Sequence, residues 1–398
     1  MESDKSDKVL CIASFFDVVP DKAKNETMKI KIITCSRAYN LGAALQTYAL
    51  QTYLISLKQE VKVIDYNPPY FSRNVSYRTV GSFANKNWML QCLYMLYKVP
   101  QRFVDHRIFK GFLRKYIQTT KEYHSVRELE EAQLKADLFI CGSDQIWCPT
   151  KPTGKDVAMY LSFVKKGKKV AYAASFGEEV LSREQMEFLQ NQIHDFLFLS
   201  VRETTGVEIV KKAGFECVQV MDPVFLISQD KWIVFSSKSV KYKKFGSYLL
   251  VYPMSLADPA FLFHAAREIA REKNLNVVII GKSKRGVKKT DYYVNNASPQ
   301  DFVSLIQHSS FVVTNSFHGT CFSILFRKEF VVYGKEAKPN TRIDSLLKLM
   351  GLSDRYTKDK NLIIDNPIDY NLLRPVLTKY LLASQQYLAK AIHSDENV

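Results

Sequence analysis

Short runs of β-branched and other apolar residues alternate along this chain with segments whose apolar positions recur at helical spacing. Ile30 to Thr34, Val61 to Asp65, Leu138 to Cys141, Val170 to Ser175, Leu199 to Val201 and Cys217 to Met221 have the length and composition of buried strands. Between them, Ala43 to Leu57 carries apolar residues on one helical face. Ser182 to Phe196 opens on a serine with a glutamine three positions later, the pattern of a capping box. Such alternation predicts a doubly wound α/β domain.

A second series of the same kind starts near Phe245. Ser247 to Tyr252 and Val277 to Ile280 read as strands around a helix from Pro259 to Lys273. Ser298-Pro-Gln-Asp301 is a helix start: a serine cap, a proline in the first turn, then an acid. That helix leads to a strand at Phe311 to Val313, a helix ending at Phe326, a strand at Phe330 to Tyr333 and a helix from Arg342 to Met350. The expected organisation is an extension of low structural content (1–27), a first Rossmann-like domain (28–240), a second (241–360), and a C-terminal helix segment (361–398) that packs back on the first. Ser236 to Lys244 is the linker candidate. One stretch breaks the rhythm: Arg73 to Lys115 is basic and aromatic, with Asp105 as its only acid. It predicts either a helical insertion packed on the sheet or a membrane-surface helix pair.

The length of 398 residues allows two domains, each with its own core. No apolar run approaches the roughly 20 residues of a membrane-spanning helix. The first 27 residues lack the pattern of a secretory signal. The seven cysteines show neither CxxC nor zinc-site spacing, which points to reduced, packed thiols, a cytoplasmic location and no metal. The net charge of +16 is spread along the chain, and no local cluster matches a nucleic-acid module. It reads as solvated surface with attraction for anionic substrates or for the inner face of a membrane, not for nucleic acid.

Four polar turns follow strands, where open α/β sheets bind ligands. In Cys35 to Ala44, Asn40 and Gly42 stand at a helix start that suits an anion. In Cys141 to Trp147, Ser143, Asp144 and Gln145 offer hydrogen bonds, and Asp144 is either a base, a partner for a sugar hydroxyl or part of a structural turn. In Ser200 to Glu203, Arg202 either clamps an anion or pairs with a nearby acid. In Phe311 to Thr320, Ser316, His318 and Gly319 open a helix, and the strand–turn–helix context aims His318 at a crevice.

These segments form a set. Asn40-Leu-Gly-Ala-Ala-Leu-Gln-Thr-Tyr-Ala-Leu50, Leu138-Phe-Ile-Cys-Gly-Ser-Asp-Gln-Ile-Trp147, Ala173-Ala-Ser-Phe-Gly177, Ser200-Val-Arg-Glu203, Met221-Asp-Pro223, Thr314-Asn-Ser-Phe-His-Gly-Thr320 and Asn340-Thr-Arg-Ile343 resemble, in order, the polysaccharide pyruvyl transferase family. The resemblance runs from about Met28 to about Tyr356. It implies two Rossmann-like domains in the GT-B manner with the site between them. It also implies transfer of a pyruvyl group from phosphoenolpyruvate, a co-substrate, to two hydroxyls of a saccharide in capsular or exopolysaccharide synthesis, with no cofactor. A lipid-linked acceptor at the inner membrane face would give the basic insertion a use.

On this resemblance His318 is the general acid and Asp144 the group acting on an acceptor hydroxyl. Arg202, Asn40, Gly42, Ser316, Gly319 and Arg342 hold the donor; Ser143 and Gln145 hold the acceptor. One departure stands out: many members carry an arginine where this chain has Ser316. Arg342, Lys282 and Lys335 are the candidates to supply the missing charge. The competing readings are a GT-B glycosyltransferase using a nucleotide sugar and a non-catalytic polysaccharide-assembly protein.

Overall fold

The lysine–isoleucine alternation at Lys29–Ile33 folds as β1, with Ile30 and Ile32 buried and Lys29 exposed. It opens the first of two parallel sheets in a computed structural model that describes residues 27–72, 88–254, 260–281, 284–334, 340–359 and 366–394. The expected extension before Met28 therefore lies almost entirely outside the described residues.

In chain order the first unit holds α1 (Leu41–Ser56), β2 (Glu60–Tyr66), α2 (Trp88–Tyr116), β3 (Thr119–Tyr123), α3 (Val126–Ala132) and β4 (Leu138–Cys141). There follow β5 (Lys168–Ala174), α4 (Arg183–Ile193), β6 (Phe198–Val201), α5 (Thr204–Lys212), β7 (Val218–Gln219) and α6 (Gln229–Ser236). Among the described residues its sheet runs β3-β2-β1-β4-β5-β6-β7, all parallel. The strand order reverses between β1 and β4, so the turns after Ile33 and Cys141 open side by side at a crevice.

The second unit holds β8 (Tyr248–Tyr252), α7 (Ala260–Glu272), β9 (Asn276–Ile280), β10 (Tyr292–Val294), α8 (Pro299–Gln307) and β11 (Phe311–Thr314). It continues with α9 (Phe317–Leu325), β12 (Glu329–Tyr333), α10 (Thr341–Met350) and β13 (Tyr356–Thr357). Its order is β10-β9-β8-β11-β12-β13, again parallel, with the reversal between β8 and β11. Thr314, which precedes the His318 turn, therefore ends a strand at a second switch point.

Both capping boxes form: Ser182 with Gln185, and Ser298 with Asp301. The Ser236 to Lys244 segment is not a free tether. Ser239 donates to Asp301 at 2.8 Å and Lys241 pairs with the same carboxylate at 2.7 Å, which ties the segment to α8. The last helix, α11 (Tyr370–His393), bridges the two units. The Tyr387 hydroxyl donates to the Ala171 carbonyl at 2.7 Å and Ser384 Oγ accepts from the Met221 N–H at 2.8 Å. At its other end Tyr370 reaches the carbonyl of Lys328.

The basic insertion contributes one helix, α2, rather than a pair within its described part; residues 73–87 and the side chains of 88–99 lie outside it. In its C-terminal half Phe109, Phe112 and Leu113 are buried. Phe112 stacks on Tyr116 and meets Tyr48 of α1 edge-on, so this apolar face packs on the domain. Among the described residues no helix is long and apolar enough to cross a membrane.

Candidate active site

The carboxyl ends of both sheets face one cleft of about 650 Å³, lined among others by Asn40, Asp144, Gln145 and Lys151 from the first unit and Ser316, His318 and Arg342 from the second. His318 reaches it because β11 ends in a polar turn and Ser316 caps α9, its Oγ accepting from the Gly319 N–H at 3.3 Å. That cap leaves His318 in the helix's first turn, 6% exposed. Its Nε2 lies 3.6 Å from Asp222 Oδ2, an ion-pair contact beyond hydrogen-bond range, and has no hydrogen-bond partner among the described residues. His318 thus stands at the cleft wall with a carboxylate beside its ring.

The other side of the ring rests on α1. A Cβ placed on Gly42 would stand 2.0 Å from His318 Nδ1. Glycine is required here for close approach, and alanine would have to push the imidazole away. Gly42→Ala is expected to lower turnover on the order of a hundredfold, the effect of misplacing a catalytic group by about 1 Å. Thermal unfolding should change little, because alanine suits a helix start; paired kinetics and melting curves check both.

Beneath the cleft lies a buried charge cluster. Arg202 donates to Asp222 Oδ2 at 2.8 Å and to Asp144 Oδ1 at 3.3 Å, and Glu203 sits 4.0 Å from its Nε. Ser143 Oγ donates to Asp222 at 3.1 Å. Burial works to raise the Asp222 pKa, but His318 and then Arg202 outweigh it and hold the carboxyl well below the usual range. Asp144 is likewise held low against its burial by Arg202, His318 and Lys151. Asp144 also has a φ of 85° and bridges to Ala174, next to Ala173 at φ 54°. These left-handed non-glycine residues mark local backbone strain stored at the site.

Arg342 is the contrasting cation. It stands in the first turn of α10 and its guanidinium carbon is 5.9 Å from the Phe317 ring centre, while that of Arg202 is 4.4 Å from it. Burial and then the nearby Arg202 charge push its pKa down to about 10, despite Asp144 and Glu203. Its buried Nε has no hydrogen-bond partner among the described residues. The cleft therefore holds a positive charge whose compensation is incomplete.

The sequence-derived candidates separate into two layers. His318, Asp144, Asn40, Gln145, Ser316 and Arg342 line the cleft. Asn40 does so while its Oδ1 caps α1, accepting from Gly42 and Ala43. That cap occupies the helix start expected to take an anion. Four candidates are corrected. Ser143 is fully buried against Asp222 and Arg202, away from any acceptor. Arg202 is 3% exposed and engaged by acids, so it organises carboxylates instead of presenting itself to a donor anion. Gly42 and Gly319 serve close packing: a Cβ on Gly319 would meet Thr314 Oγ1 at 2.6 Å. Lys282 and Lys335 lie outside the described residues.

Asp222 and Lys151 were missed as site residues. The Met221-Asp-Pro223 segment was a signal for the first. Nothing in the local pattern marks Lys151, which lines the cleft and bonds Gln145 Oε1.

Comparison with solved structures supports the architecture. A putative UDP-N-acetylglucosamine 2-epimerase from Listeria monocytogenes aligns with TM-score 0.50 and 11% identity over 92% of this chain and 91% of that one. The S. aureus MnaA–UDP co-structure aligns with TM-score 0.50 and 13% identity over 92% of each chain. At such identity the likeness speaks for the fold alone, the two-domain GT-B arrangement. Comparison with curated protein sequences gives no match. The family model described as polysaccharide pyruvyl transferase matches residues 40–334, which include the turns that carry Asp144, Arg202 and His318. The chain belongs to the polysaccharide pyruvyl transferase family.

Proposed function

We propose that the protein transfers a pyruvyl group from phosphoenolpyruvate to two hydroxyls of a saccharide, forming a pyruvate ketal in capsular or exopolysaccharide synthesis. The observation that carries this reading is His318: buried in the cleft, faced by Asp222, with an unpaired Nε2. Phosphoenolpyruvate is an enol bearing a phosphate and a carboxylate. His318 delivers a proton to its methylene carbon, which becomes a methyl, and the carbon bearing the phosphate becomes oxocarbenium-like. One acceptor hydroxyl adds there and loses its proton. Phosphate leaves with its bonding electrons, the second hydroxyl adds in its place and loses its proton, and the ketal closes. Of the two hydroxyl protons, one replaces the proton His318 gave and the other departs with phosphate.

Arg342 is suited to hold one of the donor's two anionic groups. Asp144, held ionised at neutral pH, suits accepting a hydrogen bond from a sugar hydroxyl better than storing its proton. The acceptor is a saccharide in lipid-linked form, met by a cytoplasmic enzyme at the inner face of the membrane. The test is to incubate the protein with phosphoenolpyruvate and a panel of galactosides and mannosides, following phosphate release and the mass of the sugar. Release coupled to a sugar carrying a pyruvate ketal supports the reading. Turnover of a sugar nucleotide with phosphoenolpyruvate untouched would move the protein to the glycosyltransferases.

A further inference from the structure

The basic insertion has a second face, which its packing on the domain leaves in water. Phe109, Phe112 and Leu113 of α2 are buried, while Phe103, Arg107, Lys110 and Arg114 recur at helical spacing on the opposite side and are exposed. Phe103 is 55% exposed, and Val104 beside it 38%. The one acid of α2, Asp105, is buried on the inner side. Glu122, on β3 beyond the helix, is held by Arg37 at 3.0 Å. The described part of the outer face thus joins cations to exposed apolar side chains, with no acid among them.

This face stands at the rim of the cleft. His106 bonds the Tyr39 hydroxyl, and Phe109 stacks on the Tyr39 ring at 5.3 Å. Tyr39 lies between Ala38 and Asn40, which line the cleft. One turn earlier Gln101 donates to Asn295, just past β10 of the second unit, at 3.3 Å. Phe103 and Val104 fall between these two contacts along the helix. An acidic protein would satisfy the cations and leave Phe103 in water. An anionic bilayer takes both, since arginine and lysine gain at its charged surface and a phenylalanine gains by entering the headgroup boundary. We propose that the outer face of α2, with Phe103, Val104, Arg107, Lys110 and Arg114, docks on an anionic lipid surface and so brings the cleft rim to the bilayer. That the docked enzyme there meets a lipid-linked acceptor rests on the pyruvyl-transfer reading; the docking itself does not.

The test is flotation of the full-length chain with phosphatidylcholine vesicles, with and without phosphatidylglycerol, at low and high salt. Wild type is expected to float with the anionic vesicles, less so as salt rises, and not with phosphatidylcholine alone. Arg107→Ala, Lys110→Ala and Arg114→Ala combined should lower partitioning on the order of a hundredfold, about fivefold for each cation. Phe103→Ser should lower it about tenfold. Lys165→Ala, Lys166→Ala and Lys212→Ala combined remove the same charge from exposed positions toward the other edge of the first sheet, and should leave most of the binding. All these side chains are exposed, so melting curves should match wild type. No flotation of wild type, or equal losses in the two triple variants, overturns the docking face, even if pyruvyl transfer to soluble sugars is found. Binding indifferent to Phe103→Ser overturns the lipid surface as well and leaves a face for a soluble polyanion. The expected pattern of losses, with phosphoenolpyruvate inert as a substrate, would keep the docking face and remove the transfer reading.

Discussion

His318→Ala is expected to slow pyruvyl transfer by at least about a hundredfold, the usual worth of a positioned general acid. The loss should fall on kcat. Arg342, the anion-holding group, does not depend on the imidazole, so KM for phosphoenolpyruvate should move much less. Protonation of the enol carbon makes the electrophile, and among the described residues the His318 ring alone joins an unpaired ring nitrogen to a buried counter-charge at the cleft. Steady-state kinetics with circular dichroism as a check on folding decide it. A near-normal kcat would return His318 to a packing role between Gly42 and Asp222.

The second large effect concerns the charges under the site. Arg202→Ala is expected to destabilise the fold by about 3–5 kcal/mol, because it strands the buried carboxylates of Asp222 and Glu203 and the half-buried one of Asp144. Asp222→Asn, which breaks the buried pair with Arg202, should cost about 3 kcal/mol at pH 7 and carry a pH signature. A carboxyl held below its unfolded value stabilises the native state above that value, and the contribution is lost as pH falls through the folded value. The gap between wild type and Asp222→Asn should therefore be full at pH 5 and above. It should narrow as the pH falls below about 4, where an unfolded aspartate begins to hold its proton. Urea unfolding at a series of pH values reads this out. A gap independent of pH would mean that Asp222 acts through shape rather than charge.

How far the chain was legible follows from what each signal encodes. The strands that pair in the sheet centres, such as Leu138–Cys141 and Phe311–Thr314, are continuous apolar runs buried on both faces. The sequence marks them clearly. Thr119–Tyr123 is polar and pairs at the sheet edge, so it carries no apolar run, whereas the strand read at Cys217 to Met221 is present but shortened to Val218–Gln219. A turn after a strand shows which loop faces the crevice, but not which of its side chains does. Ser143 and Asp144 are neighbours that both reach Arg202, yet only Asp144 also lines the cleft. Arg202 was legible as a strand-end cation. Its acids, Asp144 and Asp222, come from other strand ends and meet it only through the sheet order. The contact between Gly42 and His318 crosses the two units and has no local signature at all.

The most direct measurement runs the reaction in heavy water with phosphoenolpyruvate and a competent acceptor, and examines the ketal methyl by mass spectrometry and NMR. If His318 delivers a solvent-exchanged proton to the enol carbon, the methyl carries deuterium, and His318→Ala loses product and label together. A ketal methyl formed without deuterium, or a His318→Ala enzyme that makes labelled product at the wild-type rate, would contradict the account.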